Sequence, residues 1–216
     1  LKKFETPVIA NILATTIQEY VRLSKSLEDE GIDGIELNVS CPNVKKGGIS
    51  FGTDKKTLAK LIKMVRQSVK RAVLITKLSP NVSNIQEFAK IAEDSGSEAI
   101  SLINTIPGMA IDIETGRPRL ANITGGLSGP AIRPVAVRMV WESYNAVNIP
   151  IIGMGGIMNA ENAIEFMLAG STAVAVGTAN FINPKVTEGV IAGIEYYLER
   201  KGIKHVKEII GGMKTP

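Results

Sequence analysis

Six short apolar runs, separated by amphipathic stretches, recur along the whole chain: PVIANI (7–12), GIELNVS (34–40), AVLITKLS (72–79), EAISLINT (98–105), PIIGMGGI (150–157) and TAVAVGTA (172–179). Runs of this length with little alternation predict strands apolar on both faces, and a helix between each pair is the connection that parallel strands require. The helix boundaries carry their own signals. Thr16 with Glu19 makes a capping-box pattern before a helix ended by Gly31, and Ser83 with Gln86 repeats it before Gly96. Over 54–70, Leu58, Leu61, Ile62, Val65 and Val69 fall on one stripe, the spacing of a helix lying on a sheet. Pro130 and Asn159 start two more helices, and 186–201 is predicted to turn Val190, Ile191, Ile194 and Leu198 inward before Gly202. The pattern predicts six β-then-α units around a parallel sheet buried on both sides.

Such units build either an open doubly wound sheet or a closed barrel. Polar residues gather at strand C-terminal ends (Asn11, Asn38, Lys77, Asn104), and no Gly-x-Gly-x-x-Gly follows the first strand. Both features favour a TIM (β/α)8 barrel. About six of its eight units are present in this reading, as a single domain over 1–216. Leu1 enters a strand almost at once, so the chain reads as N-terminally incomplete, with two strands expected upstream. The connection from 105 to 129 is too long for an ordinary loop between strand and helix. Its AIDIETGRPRL alternates around Thr115-Gly116, predicting a hairpin insertion (106–124) laid over the active site at the strand ends.

Composition narrows the partners. A chain of 216 residues, 44% hydrophobic, can bury one substantial core. Its net charge of +4 is spread over helix faces, and aromatics make up only 5%, which argues against a nucleic-acid surface. One cysteine leaves neither an internal disulfide nor a Cys-x-x-Cys motif, a usage that fits the reducing cytoplasm. No run is long enough to cross a bilayer. The expectation is a cytoplasmic protein that binds no metal and no membrane.

Two glycine-bearing segments, GMGG (153–156) and VGTA (176–179), fall at strand C-terminal ends, and TGGLSG (124–129), running into Pro130 at a helix start, would form a third wall at the same rim. There, bare backbone N–H groups and a short extra helix hold phosphate in many barrels. The plainer alternative for each is a tight turn. Lys77 ends a strand otherwise apolar, where it is either solvated at the mouth or a fixed positive charge beside an electron-rich group such as a reduced flavin. Asn11, Asn38, Asn43 and Asn104 each carry a donor and an acceptor, which suits a planar ring edged with carbonyls and N–H groups. Cys41 lies in a polar loop near Lys45 and Lys46, which lower a thiol's pKa. The one histidine, His205, lies far along the chain in a predicted polar C-terminal helix, as a surface residue, so a Cys–His nucleophile is not indicated. A thiolate acting as general base is, with Gly47, Gly48 and Gly52 freeing the loop to open and close. The alternative for Cys41 is a small buried hydrophobe.

Taken in order, ELNVSCPNVKKGG with Phe51-Gly52, then ITKLSP, SLINT, TGGLSG, IIGMGGI and AVAVGTA, resemble the dihydroorotate dehydrogenase family of flavin enzymes across essentially all of the chain. The resemblance implies a (β/α)8 barrel with FMN at the strand C-termini and oxidation of dihydroorotate to orotate in pyrimidine synthesis. It implies Cys41 as the base that takes the C5 proton, and Asn38, Asn43, Asn104 and Thr105 as the residues that hold the pyrimidine. Asn11, Asn38, Lys77 and Ile103 would line the flavin, with Gly129, Gly155, Gly156, Gly177 and Thr178 around its phosphate. A cysteine base is similar to class 1 of the family, and KKGGISFG looks like type 1B. That type pairs, as a homodimer, with a subunit carrying FAD and an iron–sulfur cluster that passes electrons to NAD+. The family's first two strands, with a further flavin segment and a substrate lysine, have no counterpart in this sequence. Two other readings stand beside this one: a dihydropyrimidine dehydrogenase-like flavin domain, against which Asn43 after Cys-Pro argues, and a non-catalytic barrel remnant that binds a phosphate ligand.

Overall fold

A computed structural model describes residues 5–40 and 49–214. In chain order the elements are β1 (Ile9–Ile12), α1 (Ile17–Asp29), β2 (Gly34–Asn38), α2 (Ile49–Thr53), α3 (Lys55–Ser68), β3 (Val73–Lys77), α4 (Ile85–Asp94) and β4 (Ala99–Leu102). A four-strand excursion follows: β5 (Ile106–Met109), β6 (Ile111–Asp112), β7 (Arg117–Pro118) and β8 (Thr124–Leu127). The chain then resumes with α5 (Arg133–Tyr144), β9 (Ile151–Met154), α6 (Ala160–Ala169), β10 (Ala173–Ala175), α7 (Ala179–Ile182) and α8 (Val186–Lys201). All six predicted strands are present, shorter than the apolar runs that mark them.

Those six strands form one parallel sheet in the order β1-β2-β3-β4-β9-β10. The sheet curls into part of a (β/α) barrel and, among the described residues, β1 and β10 are its two edges. Side-chain alternation divides it into two faces. Ile35, Leu37, Leu74, Ile100, Leu102 and Ile151 point outward and are fully buried under the helices. The inner face carries Asn11, Glu36, Asn38, Lys77 and Ser101 toward the strand C-termini. At the opposite end Ile9 and Val73 keep 51% and 43% of their surface exposed. Burial on both sides is therefore complete only on the outer face, because six strands curl without closing and leave the lower interior uncovered.

The helices form largely where their caps place them. Thr16 Oγ1 accepts from the Glu19 N–H at 3.2 Å, while the Glu19 carboxylate reaches Thr15 rather than the cap residue, accepting from its N–H at 2.9 Å. The α4 cap is Asn84, accepting from the Glu87 N–H, not the expected Ser83 with Gln86. Starting the helix one residue later puts Ile85 on the same buried stripe as Phe88, Ala89 and Ala92. Along α3 and its C-cap Val69, all five residues of the predicted stripe are buried, each contributing roughly 1.5–3 kcal/mol. In α8 the prediction needs correction: Ile191 is 54% exposed. The stripe that packs on α6 is Val190, Ile194, Tyr197 and Leu198, and Ile191 lies about 100° around the helix from Val190. His205 is exposed and caps a final turn of 3-10 helix.

The long excursion is two antiparallel ladders. β5 pairs with β8 from Ile106↔Leu127 to Met109↔Thr124, and β6 pairs with β7 around the Thr115-Gly116 turn. The predicted hairpin is thus the tip of a longer double ladder. Buried Glu28, near the strand N-termini, ties α1 to the turn before β3: its Oε1 accepts from the backbone N–H groups of Lys70, Arg71 and Ala72 at 2.5–3.0 Å. Burial is the largest single influence on that carboxyl and works against its charge. The three N–H donors and the Arg71 guanidinium together outweigh it and hold the carboxyl below its ordinary pKa.

Candidate active site

Parallel strands end at one rim, so residues far apart in sequence meet there. A cavity of about 570 Å³ opens at this rim. Of the residues singled out from sequence, Asn11, Lys77, Ile103, Asn104, Thr105, Gly129, Gly155, Gly156, Gly177 and Thr178 all line it. Asn38 reaches it through its neighbours, donating from Nδ2 to Asn11 Oδ1 at 3.3 Å. Cys41 and Asn43, with Lys45, Lys46, Gly47 and Gly48, lie outside the described residues. The chain up to that segment ends at Ser40, which is fully buried and whose hydroxyl donates to Asn38 Oδ1 at 3.0 Å and accepts from Asn104 Nδ2 at 2.8 Å.

Strand register explains the cluster. Asn11 is paired with Glu36 across β1 and β2, Asn38 with Lys77 across β2 and β3, and Lys77 with Ser101 across β3 and β4. Positions 34, 36 and 38 share one face of β2, so the inward side chains form a polar layer under the mouth. Tyr20 fixes this end from the helix side: its hydroxyl donates to the Asn38 carbonyl at 2.8 Å and its ring stands edge-on to Phe51, centroids 5.8 Å apart.

Sequence reasoning missed Glu36, Ser40, Ser101 and Ser128. Glu36 lines the cavity, accepting from Ser101 Oγ at 2.5 Å and from Asn11 Nδ2. Its signal was legible, since a glutamate two residues before Asn38 on an apolar strand stands out as Lys77 does. Ser101 and Ser40 carry no such signal, because a buried serine in an apolar run is unremarkable until its partner is known.

The glycine segments form the other side of the cavity. Gly155 and Gly156 have φ of +128° and +75°, and a Cβ on Gly156 would stand 2.6 Å from the Gly129 carbonyl oxygen. The β9 loop and the turn before α5 therefore touch backbone to backbone. Thr178 donates to Ser128 Oγ at 3.3 Å, joining the β10 loop to the same wall. Gly177 faces open space, with no atom within 4 Å of a would-be Cβ. Gly52 is a different case from the hinge expected of it. It is buried within α2, where a Cβ would stand 2.2 Å from the Val39 carbonyl oxygen, so close packing and not freedom requires glycine there. β8 packs against the site as well, since a Cβ on Gly126 would overlap Thr105 Oγ1.

No group of His, Cys, Asp and Glu among the described residues could hold a metal ion, and no helix there is long and apolar enough to cross a membrane. The arrangement suits a planar ligand with polar edges and an anionic tail: amides and a lysine on the β1–β4 side, bare glycine backbone on the β9–β10 side.

Comparison with known proteins agrees with this geometry. The chain is 53% identical over 216 residues to a protein of Geotalea uraniireducens named dihydroorotate dehydrogenase B (NAD(+)), catalytic subunit, covering 100% of this chain and 70% of that protein. Proteins of the same name from Bacteroides thetaiotaomicron and Caldicellulosiruptor bescii are 52% and 54% identical, over 100% and 99% of this chain and 71% and 70% of theirs. The family described as Dihydroorotate dehydrogenase matches residues 1–198, a span that contains every cavity-lining residue from Ile9 to Ala179, and this chain belongs to that family.

Proposed function

We propose that this chain oxidises (S)-dihydroorotate to orotate in pyrimidine synthesis, with FMN at the strand C-termini and electrons passed to NAD+ through a partner subunit carrying FAD and an iron–sulfur cluster. The observation that carries the reading is the convergence of Asn11, Lys77, Asn104 and three glycine-bearing segments on one cavity.

The residues present fit FMN. Gly177 lines the cavity with no atom within 4 Å of a would-be Cβ, and Gly155 and Gly156 adopt backbone that favours glycine, so an anion there can meet peptide N–H groups and no Cβ. Gly129, Gly155, Gly156, Gly177 and Thr178 would hold the phosphate, and Asn11, Asn38, Lys77 and Ile103 the ring. The flavin, when bound, supplies the hydride acceptor. Lys77 contributes a fixed positive charge that favours electron density gathering on the ring.

Asn38, Asn43, Asn104 and Thr105 would orient the pyrimidine. Cys41 would take the C5 proton; with the hydride lost from C6, the electron pair of the broken C5–H bond forms the C5=C6 bond of orotate. Ser40, which precedes Cys41 in sequence, is buried and hydrogen-bonded to both Asn38 and Asn104, and that supports the role given to Cys41. The excursion β5–β8 would cover the site and exclude water, and a homodimer in the cytoplasm is the assembly this reading carries with it.

Two measurements test it. Purified protein should show yellow FMN absorption bands that bleach on adding dihydroorotate, and a colourless protein that takes up no added FMN would refute the reading. Cys41→Ala should slow that bleaching by about 10²-fold or more, the scale for losing a general base; an unchanged rate would remove Cys41 from the mechanism.

A further inference from the structure

The asparagines of the cluster do not offer donors and acceptors evenly, because their acceptors are consumed inside the protein. Both oxygens of the Glu36 carboxylate receive a donor, Ser101 Oγ on one at 2.5 Å and Asn11 Nδ2 on the other. A carboxylate only accepts, so Asn11 must turn its NH₂ toward Glu36 and its Oδ1 away. That oxygen accepts from Asn38 Nδ2. Asn38, so turned, directs its own Oδ1 to the Ser40 N–H and hydroxyl at 3.4 and 3.0 Å and to Asn104 Nδ2 at 3.4 Å. Asn104 Oδ1 in turn accepts from the Thr105 N–H at 2.7 Å. A single direction of donation runs through all of them, from the Thr105 N–H by way of Asn104, Asn38 and Asn11, and it ends on Glu36, the acceptor that fixes it.

We infer that Glu36 is a positioning residue that sets the amide direction of Asn11 and Asn38, so that the site presents N–H donors and selects a ligand edge made of carbonyl acceptors. The groups left over toward the cavity support this: among the described residues, each of Asn11 and Asn38 retains one Nδ2–H not given to another side chain, and the Lys77 ammonium has donors only. A neutral amide at position 36 is accommodated with its Oε1 toward Asn11 and its NH₂ on the Ser101 hydroxyl, which accepts as well as donates; an apolar side chain there instead leaves the Asn11 NH₂ without its acceptor, and Asn11, then Asn38, is free to flip. The site would then meet a carbonyl with a carbonyl.

The identity of the ligand rests on the function proposed above, whereas the direction of the amides does not, and the test separates them. A neutron crystal structure of the full chain with its flavin should show deuterium on the Asn11 atom facing Glu36 and on the Asn38 atom facing Asn11; oxygen at either place overturns the inference whatever ligand binds. Calorimetric titration with orotate should give about tenfold or greater weakening in Glu36→Leu, with Glu36→Gln, which keeps an acceptor toward Asn11, restoring most of the loss. Orotate affinity in Glu36→Leu within twofold of the parent, or a Gln variant as weak as the Leu variant, would also overturn it. Failure of the parent protein to bind orotate refutes the proposed function instead and leaves the neutron map to decide the role of Glu36.

Discussion

Replacing Gly156 by alanine tests whether the cavity wall depends on backbone contact. At φ +75° an L side chain costs about 1–2 kcal/mol relative to glycine. The added Cβ would stand 2.6 Å from the Gly129 carbonyl oxygen, 3.0 Å from Arg133 Cβ and 3.1 Å from Pro130 Cα. Two of these three are backbone atoms, which cannot swing aside, and overpacking of this kind costs about 1–3 kcal/mol. The sum is about 2–5 kcal/mol, or a fall in Tm of about 4–20 °C for a chain of this size. The same displacement would part the β9 loop from the turn before α5, so flavin content per chain should drop as well. Gly177→Ala is the control, because it has neither positive φ nor any atom within 4 Å. It should melt within about 2 °C of the parent yet retain flavin at least tenfold less tightly. Thermal denaturation followed by circular dichroism, with flavin absorbance per protein on the same samples, reads both quantities. A Gly156→Ala protein that melts with the parent and keeps its flavin would refute the backbone-contact argument, and a Gly177→Ala protein with undiminished flavin affinity would refute the cradle.

Glu28 should shape the acid limb of stability. Its folded-state pKa lies below the unfolded value of about 4.5, so its stabilisation is fully present above that pH and is lost as the pH falls through the folded value. Urea unfolding from pH 7 to pH 3 should therefore fall less steeply for Glu28→Gln than for the parent, and parallel curves would contradict the assignment. At pH 7, Glu28→Ala should cost about 1–3 kcal/mol, chiefly by orphaning the buried Ala72 N–H; a loss under about 0.5 kcal/mol would mean that water replaces the carboxylate. Lys77→Met keeps the stem and removes the charge, and should slow flavin reduction by dihydroorotate about 10²-fold in stopped-flow absorbance. An unaltered rate would reduce Lys77 to a solvated residue at the mouth.

Much of this protein was readable from local pattern. Strand and helix order followed from apolar runs and caps, since burial on a sheet and capping of orphan N–H groups are demands that each segment meets by itself. Lys77, Asn104 and the glycine segments were legible because a charge, an amide or a bare backbone at a strand's end departs from its surroundings. The dihydroorotate dehydrogenase resemblance reached the same positions and assigned them chemistry.

Tertiary structure alone decided how those residues are connected. That Glu36 touches Ser101 and Asn11, that Asn38 spends its oxygen on Ser40 and Asn104, and that Gly52 serves close packing against Val39 depend on register between strands and on how far the sheet curls. Cap positions and the side of α8 that carries Ile191 were likewise settled by the partner each helix packs against. The chain's own pattern determined which groups reach the rim, because strand periodicity is local. Which of those groups still have a hydrogen bond to give could only be decided once distant strands lay side by side.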